Sequence, residues 1–286
     1  MSMSSKRIFL FLLISQIIFS QEKDFEINFL PTESLSKKFV AYEIETGTGL
    51  EYKFKDGELD LRIGSSPVIL SANYFDFRFS ASSFFLVKAK SVSYKDYILQ
   101  IDCADGFFGG CLDVAKNYRH LGLIFKLRIL HWSAHLVDGH YDIEFDRWIK
   151  KKPRPYSRDF GELFIFFNKT LNGKFSILPY VGFSNSVLLR PGKLARRIYH
   201  LGGEFDVKIK DIYERLPYFI FIAFHFNTPN YDKGKNNLQL LTGVRFSNMK
   251  NSQIEAYFKY VQGNSYFGQY FDAMIKESLI GIRLAL

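Results

Sequence analysis

Across residues 39–54 apolar and polar positions alternate without a break. Val40, Tyr42, Ile44, Thr46, Thr48, Leu50, Tyr52 and Phe54 fall on one face, and Ala41, Glu43, Glu45, Gly47, Gly49, Glu51 and Lys53 on the other. Successive side chains of a β-strand point to opposite faces, so the pattern predicts a strand with one greasy and one acidic or small face. It runs roughly fifteen residues, where a strand of a soluble sandwich usually runs five or six. The same alternation predicts further strands over 59–64, 75–90, 97–102, 121–137, 160–168, 175–184, 199–210, 218–226, 238–246, 254–261 and 279–286. These make about twelve strands, within a range of about ten to fourteen, and a continuous apolar face on each is the signature of a closed antiparallel transmembrane β-barrel.

Connection lengths add an orientation. From the sixth predicted strand onward, short Asn- and Gly-bearing turns at 169–174 and 247–253 alternate with long polar segments at 138–159, 185–198, 227–237 and 262–278. Barrels of this class keep short turns in the periplasm and long loops outside. The ending Ile282, Leu284, Leu286 resembles the terminal strand of outer-membrane barrels, with Leu286 where an aromatic is usual.

The N-terminus reads as a secretory signal. Lys6 and Arg7 precede an apolar run from Ile8 to Phe19, and Ser20 precedes Gln21 at a plausible cleavage point. That run is too short to span a bilayer as a helix, and no later segment is long enough to do so. The expected organisation is a signal peptide over 1–20, a periplasmic segment over 21–37 and the barrel over 38–286. The aromatic share of 17%, with 31 Phe and 17 Tyr, suits interfacial girdles and a Phe-rich lipid face. A soluble periplasmic β-protein would instead need those faces to pack against a second sheet.

The net charge of +9 suits an anionic surface, because export removes most of the weight from nucleic acid. Lys150, Lys151, Lys152, Arg154, Arg196 and Arg197 fall in predicted outer loops, where they could face lipopolysaccharide phosphates or simply be solvated. Expected partners are outer-membrane lipids, lipopolysaccharide and, during insertion, the barrel-assembly machinery. No nucleic acid and no cofactor are expected. Cys103 and Cys111, the only two cysteines, suggest a disulfide closing a small loop in an exported chain. Inside the barrel, Glu43, Glu45 and Glu51 should face Lys126, Arg128, Arg245, Lys259 and Arg283. Paired charges filling a narrow lumen and a charge-lined channel are both consistent with that.

One constellation could carry chemistry. On the predicted fifth strand Leu121, Leu123, Phe125, Leu127 and Ile129 form the lipid face, and His131, Ser133 and His135 continue it. A His and a Ser two apart share a face and can act as base and nucleophile. The His131-x-Ser133 arrangement resembles outer-membrane phospholipase A, a twelve-stranded barrel, and the lipid A deacylase barrels. The resemblance implies Ser133 as nucleophile and His131 as general base. Those families place Asn after the Ser, where this chain has Ala134, so Asp138, His135 or an Asn of a neighbouring strand would have to orient the His. The alternative is an interfacial girdle of polar-tipped rings shared with Trp132.

The stretches from His131 to Asp138 and from Tyr260 to Tyr270 resemble elements of the outer-membrane barrels grouped as domain of unknown function 1207, in the same order. Here Tyr266-Phe267 stands where that family has Pro-Asn, and Val137 where it has Gly. The resemblance implies an exported, porin-like barrel and no particular reaction. The expectation is therefore a structural, binding or narrow-pore barrel of the outer membrane. A lipid acyl-ester hydrolase is the alternative.

Overall fold

The computed structural model describes residues 25–31, 35, 38–94, 97–118, 121–137, 140–149, 152–212, 216–229, 231, 233–247 and 253–285. The signal-peptide reading of 1–20 lies outside the described residues. The strands in chain order are β1 (Phe25–Phe29), β2 (Thr48–Lys53), β3 (Leu59–Ser65), β4 (Val68–Tyr74), β5 (Phe77–Tyr94), β6 (Tyr97–Tyr118), β7 (Leu121–Leu136), β8 (Tyr141–Asp142), β9 (Arg147–Trp148), β10 (Tyr156–Leu171), β11 (Phe175–Arg190), β12 (Arg197–Ile212), β13 (Leu216–Asn227), β14 (Asn237–Ser247), β15 (Gln253–Asn264) and β16 (Met274–Ala285).

Twelve of these close on themselves. The ring runs β2, β3, β5, β6, β7, β10, β11, β12, β13, β14, β15, β16 and back to β2, every pair antiparallel. β4 continues β3 along the same edge of β5, and β1 pairs on β4 as a short additional strand. Residues 25–29 of the segment expected to be periplasmic thus pair with the sheet. Short connections gather at one end. One of them, at residues 171–174, is closed by the Lys174 N–H on the Leu171 carbonyl at 3.1 Å and has Asn172 and Gly173 at its centre, both with positive φ (51° and 63°), as a turn matched to strand twist requires. Long connections gather at the other end, where β8 and β9 form a small hairpin.

The outer wall is apolar. Leu50, Ile63, Phe108, Ile129, Ile222 and Ile280 are among many large side chains it exposes. A soluble monomer rarely exposes more than a few hundred Å² of contiguous apolar surface. Among the described residues no helix is long and apolar enough to cross a membrane.

The lumen has two unlike walls. Phe84, Phe107, Trp132, Phe164, Phe166 and Tyr180, from β5 round to β11, make an apolar wall. Two of these rings lie flat on the neighbouring strand. A Cβ at Gly182 would sit 2.3 Å from the Phe164 ring, and one at Gly202 2.1 Å from the Tyr180 ring. Opposite, Asp206, Arg245, Glu255, Lys259, Arg283 and Arg62 make a charged wall. Arg245 meets Asp206 at 2.9 Å and Glu255 at 2.8 Å, and Arg283 meets Glu255 at 2.5 Å.

Here the first expectation is corrected. Only Thr48–Lys53 is a strand, and there Leu50 and Tyr52 do face out while Glu51 and Lys53 face in. Residues 38–47 form no strand and lie inside the lumen as a re-entrant stopper. The Phe39 ring packs 4.5 Å from Phe164, 4.6 Å from Phe166 and 4.8 Å from Tyr180. The Tyr42 hydroxyl donates to Glu162 at 2.5 Å, and its ring stacks on His225. Glu43 pairs with Arg62 at 3.0 Å, Lys88 at 3.2 Å and also Lys259. Gly47 returns beside Arg283 and Leu284, where β2 begins.

Buried backbone needs partners, and here the wall side chains supply them. The Val40 N–H donates to Glu204 at 2.7 Å, and Arg128 donates to the Ile44 carbonyl at 2.7 Å. The alternation is real, but both of its sets are buried inside the lumen: Val40 packs with Phe221 and Leu279, Tyr42 with Phe164, Glu43 pairs with Arg62 and Glu45 lies by Arg128.

The disulfide expectation is also overturned. Cys103 and Cys111 are both free, both buried and both on β6. Eight residues along a strand span about 27 Å, whereas a disulfide needs Cα atoms within about 7 Å. The expected loop between them is continuous strand. We expect the folded barrel to leave both thiols unmodified by a thiol reagent. Unfolding without reductant should then release two. A single thiol, or none, in the unfolded chain would contradict this geometry.

Candidate functional site

β7 places His131, Ser133 and His135 on the outer wall, as the alternation predicts, and turns Leu130, Trp132 and Ala134 inward. Trp132 is therefore no part of an interfacial girdle. It is 4% exposed, stacks on Phe107 in the lumen and donates to Asp105 at 3.1 Å.

Register across the sheet builds the neighbourhood of His131. One row runs Phe85, Phe108, His131, Asp159, Leu188 from β5 to β11. His131 Nδ1 lies 2.5 Å from Asp159 Oδ1, and both side chains are partly exposed among apolar neighbours. The next row toward the long-loop end runs Val87, Gly106, Ser133, Ser157, Arg190. Small residues on both sides of Ser133 leave its hydroxyl open to a molecule lying against the wall. No hydrogen bond joins Ser133 to His131. Two residues along a strand separate their Cα atoms by about 7 Å, so the hydroxyl and the imidazole must turn toward each other to pair.

Of the expected orienting groups, Asp138 lies outside the described residues. His135 faces outward beyond Ser133, opposite Ala104. The group that holds His131 is Asp159, from the strand next door. Sequence spacing carries no signal for it, because cross-strand partners are set by register.

The two stretches that resemble one barrel family meet in space. The loop after β15 folds over the long-loop mouth, where Gln269 donates to the Ala134 carbonyl at 2.6 Å and the Gly268 N–H to Asp105 at 2.8 Å. A Cβ at Gly268 would lie 2.6 Å from Cβ of Ala134. Arg154 is part of this clasp, with Asp272 at 2.7 Å and its plane over Phe271. It is not the free outer-loop cation the sequence suggested. Lys152, Arg196 and Arg197 are exposed, and Lys150 and Lys151 lie outside the described residues.

Inside the barrel a chain of hydrogen bonds runs across four strands, β10 to β13. The Ser184 hydroxyl lies 2.9 Å from Glu162 and 2.7 Å from His200 Nε2. His200 Nδ1 lies 3.2 Å from His225, which in turn lies 2.9 Å from the Tyr180 hydroxyl. Ser184 is buried between its partners, so the array braces the lumen and exposes no nucleophile. Inward parity on β11, β12 and β13 was the available signal for these residues. Between the stopper and the long-loop mouth lies a cavity of about 60 Å³, lined by Glu43, Trp132, Arg158, Glu162, His200 and Asn264 among others. Among the described residues no group of three or more His, Cys, Asp or Glu side chains is placed to hold a metal ion.

No family model matches the chain, and no curated protein matches it. Solved structures do. The β-domain of the Bordetella autotransporter BrkA is 11% identical, over 84% of this chain and 97% of that one, with a TM-score of 0.44. The translocator domain of the autotransporter NalP from Neisseria meningitidis is 7% identical, over 99% and 96%, also at 0.44. OmpT, an outer membrane protein of Vibrio cholerae, is 11% identical, over 83% and 94%, at 0.36. These are likenesses of barrel architecture only.

Proposed function

We propose that this chain is an integral outer-membrane β-barrel whose lumen is stoppered, a structural or binding barrel rather than an open pore. The observation that carries the reading is the seating of residues 38–47 between the two lumenal walls, with Glu43 and Arg128 tied to both sides. The apolar outer wall supports membrane insertion, and the long connections face outward on the rule for such barrels. Exposed Lys152, Arg196 and Arg197 at that rim suit lipid phosphates, those of lipopolysaccharide included. The meeting of the two family-like stretches at the mouth supports the resemblance to domain of unknown function 1207. The purified mature chain should give no conductance steps in a planar bilayer. Discrete steps from the parent protein would overturn the reading.

A second reading is favoured by one contact, the 2.5 Å approach of His131 to Asp159 on the lipid side. In it the barrel wall cleaves an acyl ester of an outer-leaflet lipid. Asp159 fixes the imidazole by holding Nδ1–H. His131 Nε2 takes the Ser133 proton as the Ser133 oxygen attacks the ester carbonyl, the imidazolium gives that proton to the departing lipid alcohol, and water deprotonated by the same imidazole then hydrolyses the acyl-serine to free fatty acid. Catalytic hydrogen bonds often tighten only with substrate bound, which accommodates the unpaired hydroxyl. The substrate reaches the site laterally, its acyl chains against Ile129 and Phe108. Ser133→Ala should lower fatty-acid release from phospholipid in mixed micelles by about 10⁴-fold or more, as loss of a serine nucleophile does. Equal release by parent and variant would sink the idea, as would a parent that releases none.

A further inference from the structure

We propose that the cavity between the stopper and the long-loop mouth binds a small monocarboxylate, anchored by Arg158. Lumenal cations elsewhere are paired. Arg62 and Lys88 meet Glu43, Arg128 meets Glu162, Lys259 meets Glu51, and Arg245 and Arg283 meet Glu255. Arg158 is the exception among the described residues lining the cavity. It is 2% exposed, and its Nε donates to the Ser186 hydroxyl at 2.6 Å. Its plane lies over the Phe160 ring at 4.8 Å, and its Nη2 is buried with no partner.

A buried guanidinium without a counter-charge is costly, and an arriving anion removes the cost. A second donor lining the cavity, Nδ2 of Asn264, is also buried and unpartnered, while Oδ1 of the same side chain accepts from the Lys235 N–H at 2.9 Å. Two idle donors call for a ligand rich in acceptors. The guanidinium fork matches the two oxygens of a carboxylate. The acids of the same cavity, Glu43 and Glu162, are already engaged by cations and by Tyr42 and Ser184. They offer an incoming anion no bond, and their charge disfavours a dianion such as phosphate. Size sets the rest: a water needs about 10–15 Å³ of such space, so a cavity of about 60 Å³ admits only a few heavy atoms. Asn227 and Asn237, at the long-loop ends of β13 and β14, also line the cavity.

Trp132 lines the same cavity and reports on it. The chain has two tryptophans, so Trp148→Phe in the full mature barrel leaves Trp132 as the single indole. Acetate and inorganic phosphate are titrated separately at fixed ionic strength in detergent micelles. Acetate should shift Trp132 emission saturably, and phosphate should not. Arg158→Met should weaken the acetate response by about tenfold or more, as loss of a charge-assisted contact implies. It should keep the heat-resistant electrophoretic mobility of the folded barrel, since it breaks no ion pair. Should Arg158→Met fail to fold, Arg158→Lys and Asn264→Ala serve in its place, each with a weaker acetate response expected. The proposal is overturned by no saturable response up to about 100 mM acetate, well above the millimolar range of weak binding. It is equally overturned by parent-like binding in the folded Arg158 variant, or by phosphate binding more tightly than acetate.

Discussion

Replacing residues 39–46 with glycine and serine should open the barrel, turning a silent protein into one that gives discrete conductance steps in a planar bilayer. The substitution removes the side-chain contacts that seat the stopper: the Phe39 ring from Phe164, Phe166 and Tyr180, the Tyr42 hydroxyl from Glu162, and Glu43 from Arg62 and Lys88. A glycine- and serine-rich segment behaves as a flexible coil and buries no apolar surface, so only backbone hydrogen bonds to Glu204 and Arg128 remain to hold it. The strands are untouched, and their ladders close the ring without it. The variant should therefore keep the heat-resistant mobility of a folded barrel. Its current should be selective, because Arg62, Lys88 and Lys259 lose Glu43 and face the new opening. A folded variant that remains silent would show that the walls alone block the lumen.

The second large effect is expected at Arg128, which ties the stopper to the wall. It is fully buried, with Nη2 2.6 Å from Glu162 and Nη1 2.7 Å from the Ile44 carbonyl. Glu45 lies at 3.7 Å, and the rings of Phe39, Tyr42, Phe84 and Phe164 surround the guanidinium at 5.0–5.5 Å. Arg128→Met keeps most of the volume but leaves Glu162 and Glu45 buried without their cation. Breaking a buried pair by removing one partner costs about 3–5 kcal/mol. Urea unfolding of the refolded protein, followed by electrophoretic mobility, should show a loss of that size. Arg128→Met combined with Glu162→Gln should regain much of it, because the stranded carboxylate goes as well. If the double variant is no more stable than the single one, the pairing does not account for the loss.

These two effects concern the part of the chain where the linear pattern was least informative. From β7 onward each strand has lipid on one side and lumen on the other, so period-two alternation located the strands to within a few residues and oriented His131, Ser133 and His135 correctly. In 39–47 the same alternation had a different cause. Val40 and Tyr42 meet Phe221 and Phe164 while Glu43 and Glu45 meet cations, all inside one enclosure. A run whose apolar and acidic side chains are all buried in one lumen reads like one alternating between lipid and lumen. β6 was lost over most of its length for the opposite reason. Gly106, Gly109, Gly110 and the two cysteines between Asp102 and Leu112 look like a stapled turn, although they form one strand whose missing side chains make room for its neighbours.

The candidate outer-wall site divides the same way. Which face Ser133 and His131 occupy follows from the alternation of β7 itself. That Asp159 holds His131 depends on the register between β7 and β10, and pairing between strands is a property of the closed sheet. Arg158 points inward by the alternation of β10, but its lack of a counter-charge appears only when twelve strands and the stopper are brought together. Local patterning thus decided class, strand identity and side-chain direction, because those depend on the period of the backbone. Closure decided which charges meet, which thiols are kept apart and what fills the lumen, because those depend on residues far apart in the chain.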